Sequence, residues 1–129
     1  MSNSPNLRQQ RGREGEEIAA RALQEQGMEI VERNWHPPHG AELRGDIDIL
    51  AREGNILCFI EVKARSNDER GAPQQAVTRA KQKQLSRLAN AYVSLHQIDD
   101  VPCRFDVVEV WLGQSPRVVV HRNAFDYQE

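Results

Sequence analysis

The chain has 129 residues, with 17 Lys and Arg against 19 Asp and Glu, a formal charge of −2. That length suits one domain with its own core and is too short for two. The 39% hydrophobic and 28% charged content excludes a disordered chain, the charge balance excludes a uniformly basic nucleic-acid coat, and no apolar run approaches the roughly 20 residues of a membrane span.

Residues 1–10 hold Ser, Asn, Pro and Gln with almost nothing apolar. They read as a disordered tail, which leaves 11–126 as a single α/β domain. No apolar stretch follows the charges of residues 1–13, so no secretory signal is read and a cytoplasmic protein is expected. From Arg11 the pattern is helical: Ile18, Ala19, Ala22 and Leu23 recur at helical spacing, and Gly27 closes the run. Residues 28–35 suit a half-buried strand. Residues 36–45 carry two prolines and two glycines and form a loop, in which His36 and His39 have no metal-ligand spacing.

Residues 46–51 (DIDILA) and 56–63 (ILCFIEVK) are two strands around Gly54-Asn55, a pair that fits a type II′ hairpin turn. The register then follows: facing residues sum to 109. Glu53 faces Ile56, Asp48 faces Glu61 and Asp46 faces Lys63. Alternation puts Ile47, Ile49, Cys58, Ile60 and Val62 on an apolar face and gathers Asp46, Asp48, Glu61 and Lys63 on the other.

Residues 65–71 are polar and loop-like. Pro73 opens a helix to about His96, with Val77, Leu85, Leu88, Tyr92 and Leu95 as its buried stripe. Arg79, Lys83 and Arg87, spaced by four, form a basic row. Residues 103–112 and 117–122 are strands. Trp35 and Trp111 read as core or core edge, Asp106 as structural, and Cys58 and Cys103 as buried thiols of a reducing compartment. The element order predicts a single mixed sheet with a central antiparallel hairpin flanked by helices.

The chemistry centres on Asp48, Glu61 and Lys63. Two unpaired carboxylates about 5 Å apart are costly unless a cation or proton stands between them. Oxygen donors without a histidine pair favour Mg²⁺ or Mn²⁺ over zinc. The carbonyl of Val62 is a candidate further ligand, and Lys63 would steady an attacking hydroxide or the charge on a phosphate. Glu16 shares a helix face with Ala19 and Leu23 and points toward the sheet, where it is a candidate catalytic and metal-binding acid completing the cluster, whereas Glu17 faces water. Lys81, between the basic row and the buried stripe, joins Arg79, Lys83 and Arg87 as a candidate contact to a nucleic-acid backbone, extended by Arg65, Arg70, Arg8, Arg11 and Arg13.

RGDIDILA followed by FIEVKAR resembles the PD-(D/E)xK nuclease core of restriction enzymes and archaeal Holliday-junction resolvases. From about Gly12 to Phe125 the chain resembles the small bacterial YraN-like family of uncharacterised or predicted endonucleases. The likeness is carried by Gly12, Glu16, Ala19, Leu23 and Gly27, by Arg33-Asn34, and by residues 45–49, 59–65, 77–81 and 104–108. The resemblance implies a restriction-endonuclease-like α/β core. It also implies metal and catalytic roles for Asp48, Glu61 and Lys63, and a first-helix acid at Glu16. The family usually carries Glu where this chain has Asp46, one methylene shorter.

Together these readings lead to the expectation of a Mg²⁺- or Mn²⁺-dependent endonuclease acting on DNA, with branched substrates suggested by the resolvase likeness and a homodimer needed for paired cuts. The alternative is a nucleic-acid-binding module of the same fold with little or no turnover. A third class, an interaction protein without nucleic acid, is permitted by the net charge.

Overall fold

The first helix, α1, spans Leu7–Glu25 because Asn6 caps it: the Asn6 side chain accepts the Gln9 N–H at 2.8 Å. This computed structural model describes residues 6–65 and 77–129. The expected tail therefore needs correction, since residues 7–10 form the first turn of α1. A capping side chain, not apolar content, sets the start. At the far end Gly27 has φ +93°, a conformation that suits glycine.

The remaining elements are β1 (Glu29–Trp35), β2 (Ile47–Glu53), β3 (Ile56–Arg65), α2 (Arg79–Leu95), β4 (Cys103–Trp111) and β5 (Arg117–Phe125). One sheet runs in chain order from β1 to β5. Only β3 and β4 are parallel; the other neighbours are antiparallel. That crossover passes through α2, as a parallel connection requires. The result is the expected α/β fold: a single mixed sheet with a central hairpin, consistent with a restriction-endonuclease-like core.

The hairpin register is the one the turn dictates. Glu53 pairs with Ile56 and Ile49 with Ile60, and Gly54 has φ +60°. The expected one-sided burial does not hold. One core lies under α2 and includes Leu50, Leu57, Phe59, Leu88, Tyr92 and Phe105. The other lies under α1 and includes Leu23, Ile49, Cys58, Ile60, Val108 and Val110. Central strands between two helices bury both faces, so the acids are confined to one end of a face. Ile47 joins the α2 core and Ile49 the α1 core. Strict alternation thus breaks at Asp48, where the β2–β3 ladder has ended.

Three further expectations shift. The second helix starts at Arg79, where Thr78 Oγ1 accepts the Lys81 N–H at 3.2 Å; Pro73 and residues 66–71 lie outside the described residues. Leu95 is 55% exposed; it lines an open groove with Trp35 and Pro37 at the helix end, not the sheet. Cys103 is exposed because it opens β4, while Cys58 is buried and its thiol is pushed up to about 11 by burial. Both thiols are free. No helix among the described residues is long and apolar enough to cross a membrane.

Candidate active site

The open end of the β2–β3 hairpin gathers acids from three elements. Beyond the Ile49–Ile60 pair, the Asp48 side chain replaces the ladder: its Oδ2 accepts the Val62 N–H at 2.9 Å. The Asp48 and Glu61 carboxyl groups meet side chain to side chain. Burial, then the hydrogen bond and the like charge of Glu61, hold the Asp48 carboxyl far above the usual carboxylate range. Such a pair keeps a proton or takes a cation.

Glu16 approaches from α1. Its Oε1 accepts from Asn34 Nδ2 at 2.8 Å, and its carboxyl is raised chiefly by burial, with further contributions from the charges of Asp46 and Glu61. Glu17 faces solvent and pairs with Arg33 at 2.9 Å, as the helix spacing predicts. Asp46 precedes β2, so the expected Asp46–Lys63 pair does not form in the ladder. Asp46 instead acts on Glu16 through its charge.

From the other side, Lys81 in the first turn of α2 places Nζ 3.5 Å from Glu61 Oε2. Its reach into the acid site was not legible from helix spacing, which put it only at the border of a surface row. A lysine in the first turn opposes the helix dipole, and Glu61 offsets that cost. Arg79, Lys83 and Arg87 are exposed, as a basic row requires. Lys63 is exposed two residues beyond Glu61 on β3.

Arg65 does not belong to that basic surface. It is 5% exposed, and its Nε stands 2.5 Å from Oε2 of Glu109, an ion pair outside hydrogen-bond angles. The other oxygen of Glu109 meets His121 Nε2 at 2.8 Å. Arg65 is thereby committed to a buried partner and withdrawn from phosphate contact.

The carboxyl groups that could hold a cation here are those of Asp48 and Glu61. Among the described residues no three His, Cys, Asp or Glu side chains close on a common point as metal ligands. Glu16 is therefore a neighbour of the pair held by Asn34, not a third wall of a formed cage. Two carboxylates with water in the other positions is a donor set that suits Mg²⁺. Asn34 has φ +53°, a backbone conformation that asparagine tolerates, and its side chain holds Glu16, a task that no local pattern announces.

At the opposite end of the sheet, charges pair off. Asp106, fully buried, accepts from Arg104 Nε at 2.8 Å and from the Asn123 N–H at 2.8 Å. The latter bond secures the irregularity where β5 shifts register against β4. Arg104 and Arg122 both bind Glu53, and Arg122 reaches Gln26. The Arg122 and Arg104 guanidinium groups pull the Glu53 carboxyl down to about 2. This gives Asp106 its structural task.

Residues 15–110 match the family described as uncharacterised protein family UPF0102. A UPF0102 protein of Desulfosudis oleivorans is 41% identical over 121 residues, covering 94% of each chain. One of Chlorobium chlorochromatii is 44% identical over 108 residues, 84% of this chain and 79% of its own. One of Moorella thermoacetica is 42% identical over 111 residues, 86% of this chain and 88% of its own. The family match spans Glu16, Asp48, Glu61, Lys63 and Lys81. The chain belongs to the uncharacterised UPF0102 family, the YraN-like proteins whose motifs it carries.

Proposed function

We propose that this protein is a divalent-metal-dependent endonuclease that hydrolyses DNA phosphodiesters. The observation that carries the reading is the half-buried Asp48–Glu61 contact, two carboxyl groups held together where the hairpin ladder ends. A structural acid would be paired with a cation of its own, as Glu53 is. Strongly perturbed carboxyl groups cluster at functional sites.

Asp48 and Glu61 would hold Mg²⁺ or Mn²⁺, with the Val62 carbonyl as a candidate further donor. Such an ion, when bound, supplies Lewis-acid polarisation of a phosphate oxygen and acidifies a water. The Val62 N–H fixes one oxygen of Asp48 and leaves the other for the ion. Lys63 balances charge that develops on the phosphate. Glu16, fixed by Asn34, adds negative charge that favours a cation over a proton at the pair. Arg79, Lys83 and Arg87 on the exposed side of α2 receive the nucleic-acid backbone. Cutting two strands symmetrically would require a second copy of the chain.

One observation favours the rival, a binding module without turnover: Lys81 already partly neutralises Glu61. Labelled four-way-junction, single-stranded and duplex DNA, incubated with Mg²⁺, Mn²⁺ or EDTA, separates the two. Metal-dependent cutting that vanishes in folded Asp48→Ala and Lys63→Ala variants supports the enzyme. DNA binding without cutting, equal in parent and variants, supports the module.

A further inference from the structure

Two glycines in α1 stand three residues apart, and only one is explained by packing. A Cβ on Gly15 would lie 3.0 Å from the Cβ of Ala64, so helix and strand approach closely only because Gly15 has no side chain. At Gly12 a Cβ would meet nothing within 4 Å. Glycine inside a helix is destabilising relative to alanine, and at position 12 no contact returns that loss.

Gly12 instead borders two open clefts. One, of about 350 Å³, is lined by Arg8, Arg11, Gly12, Val62, Lys63 and Ala64. The other, of about 430 Å³, is lined by Gln9, Gly12, Arg13 and Glu16. The first therefore borders the strand that carries Glu61, and the second reaches the acid that neighbours the Asp48–Glu61 pair. The first turn of α1 holds no acidic residue, and Arg8 sits there against the helix dipole. Cations at the positive end of a helix repel it and favour an anion beside them.

We propose that these clefts form one anion-binding groove, which holds the phosphodiester next to the one cut at the acid pair, and that Gly12 lacks a side chain to keep it open. The inference rests on the nuclease reading for what lies next to the groove, but its test does not require cutting. A nucleic-acid strand is the occupant argued for, because the groove leads past the acids instead of closing around one ion.

Gly12→Leu is the probe, since it adds bulk where no packing is disturbed. Its melting temperature is expected to equal or exceed the parent's. Its affinity for a labelled single-stranded oligonucleotide in EDTA, read by anisotropy, is expected to fall at least tenfold. Gly12→Ala should fall less, and Arg8→Gln should reduce the slope of log affinity against log salt by about 0.7. Inorganic phosphate should compete only weakly. A folded Gly12→Leu that binds the oligonucleotide like the parent overturns the groove, as does a parent that binds none. Inorganic phosphate binding as tightly as the oligonucleotide, and lost in Gly12→Leu, overturns the phosphodiester assignment. Metal-dependent cutting indifferent to Gly12→Leu removes the groove and keeps the nuclease. Gly12-dependent binding without cutting does the reverse.

Discussion

The two ends of the β2–β3 hairpin carry acids in opposite states. At the turn, Glu53 lies between Arg104 and Arg122, and its carboxyl is pulled down to about 2. At the open end Asp48 meets Glu61, and its carboxyl is driven upward by burial and like charge. The same strands thus present one acid closed into ion pairs and another held against a second carboxyl group. The difference teaches where to look for chemistry: an ion pair closed on itself is finished, and a half-buried carboxyl pair is not.

The largest expected effect comes from Asp48→Asn. Asparagine keeps an oxygen for the Val62 N–H and removes the repulsion with Glu61. Cleavage should fall by at least about 100-fold, while the metal-free protein becomes more stable at pH 8 by about 1 kcal/mol. Cutting rates and urea unfolding check both halves. A substitution that destroys activity and stabilises the fold sets the open end apart from any structural site.

Asp106→Ala should act in the opposite sense. It leaves half-buried Arg104 short of a partner and the Asn123 N–H unpaired, which should cost about 3 kcal/mol. Urea midpoints read the loss, and the fraction that stays folded should cut at the parent rate.

The pH dependence of stability separates the ends further. Glu53, lowered, contributes stability above the ordinary carboxylate range that is lost as pH falls toward 2. Asp48, raised, favours the metal-free fold most at low pH, and that contribution is lost as pH rises from about 4 toward its raised folded value. A cation competes with fewer protons at high pH. Mg²⁺ should therefore raise the melting temperature by a few degrees at pH 8 and by less at pH 5.5, as thermal scans across pH would show. The smallest effect is expected for Arg122→Ala, where an exposed pair with Glu53 is lost at under about 1 kcal/mol, with no change in cutting.

Much of this contrast was legible before the structure. Gly54-Asn55 set the turn, and the turn set the register from Glu53–Ile56 to Ile49–Ile60, which leaves Asp48 and Glu61 as the next residue on each strand. Helix spacing turned Glu16 inward and Glu17 outward. What local pattern could not show was long-range. Burial of both hairpin faces depends on two helices arriving from distant segments. Arg65 reads as one more exposed cation until β4 supplies Glu109. Lys81 reaches Glu61 from the first turn of α2, which Thr78 caps. Asp106 gained its role from a register shift in β5 that no residue of its own strand announces.

Titration of Mn²⁺ into the parent, Asp48→Asn and Glu53→Gln proteins at pH 7.5, followed by calorimetry, tests the central claim most directly. The predicted result is one saturable site per chain in the parent and in Glu53→Gln, lost in folded Asp48→Asn. Binding unchanged in Asp48→Asn, or no saturable site in the parent, would contradict it.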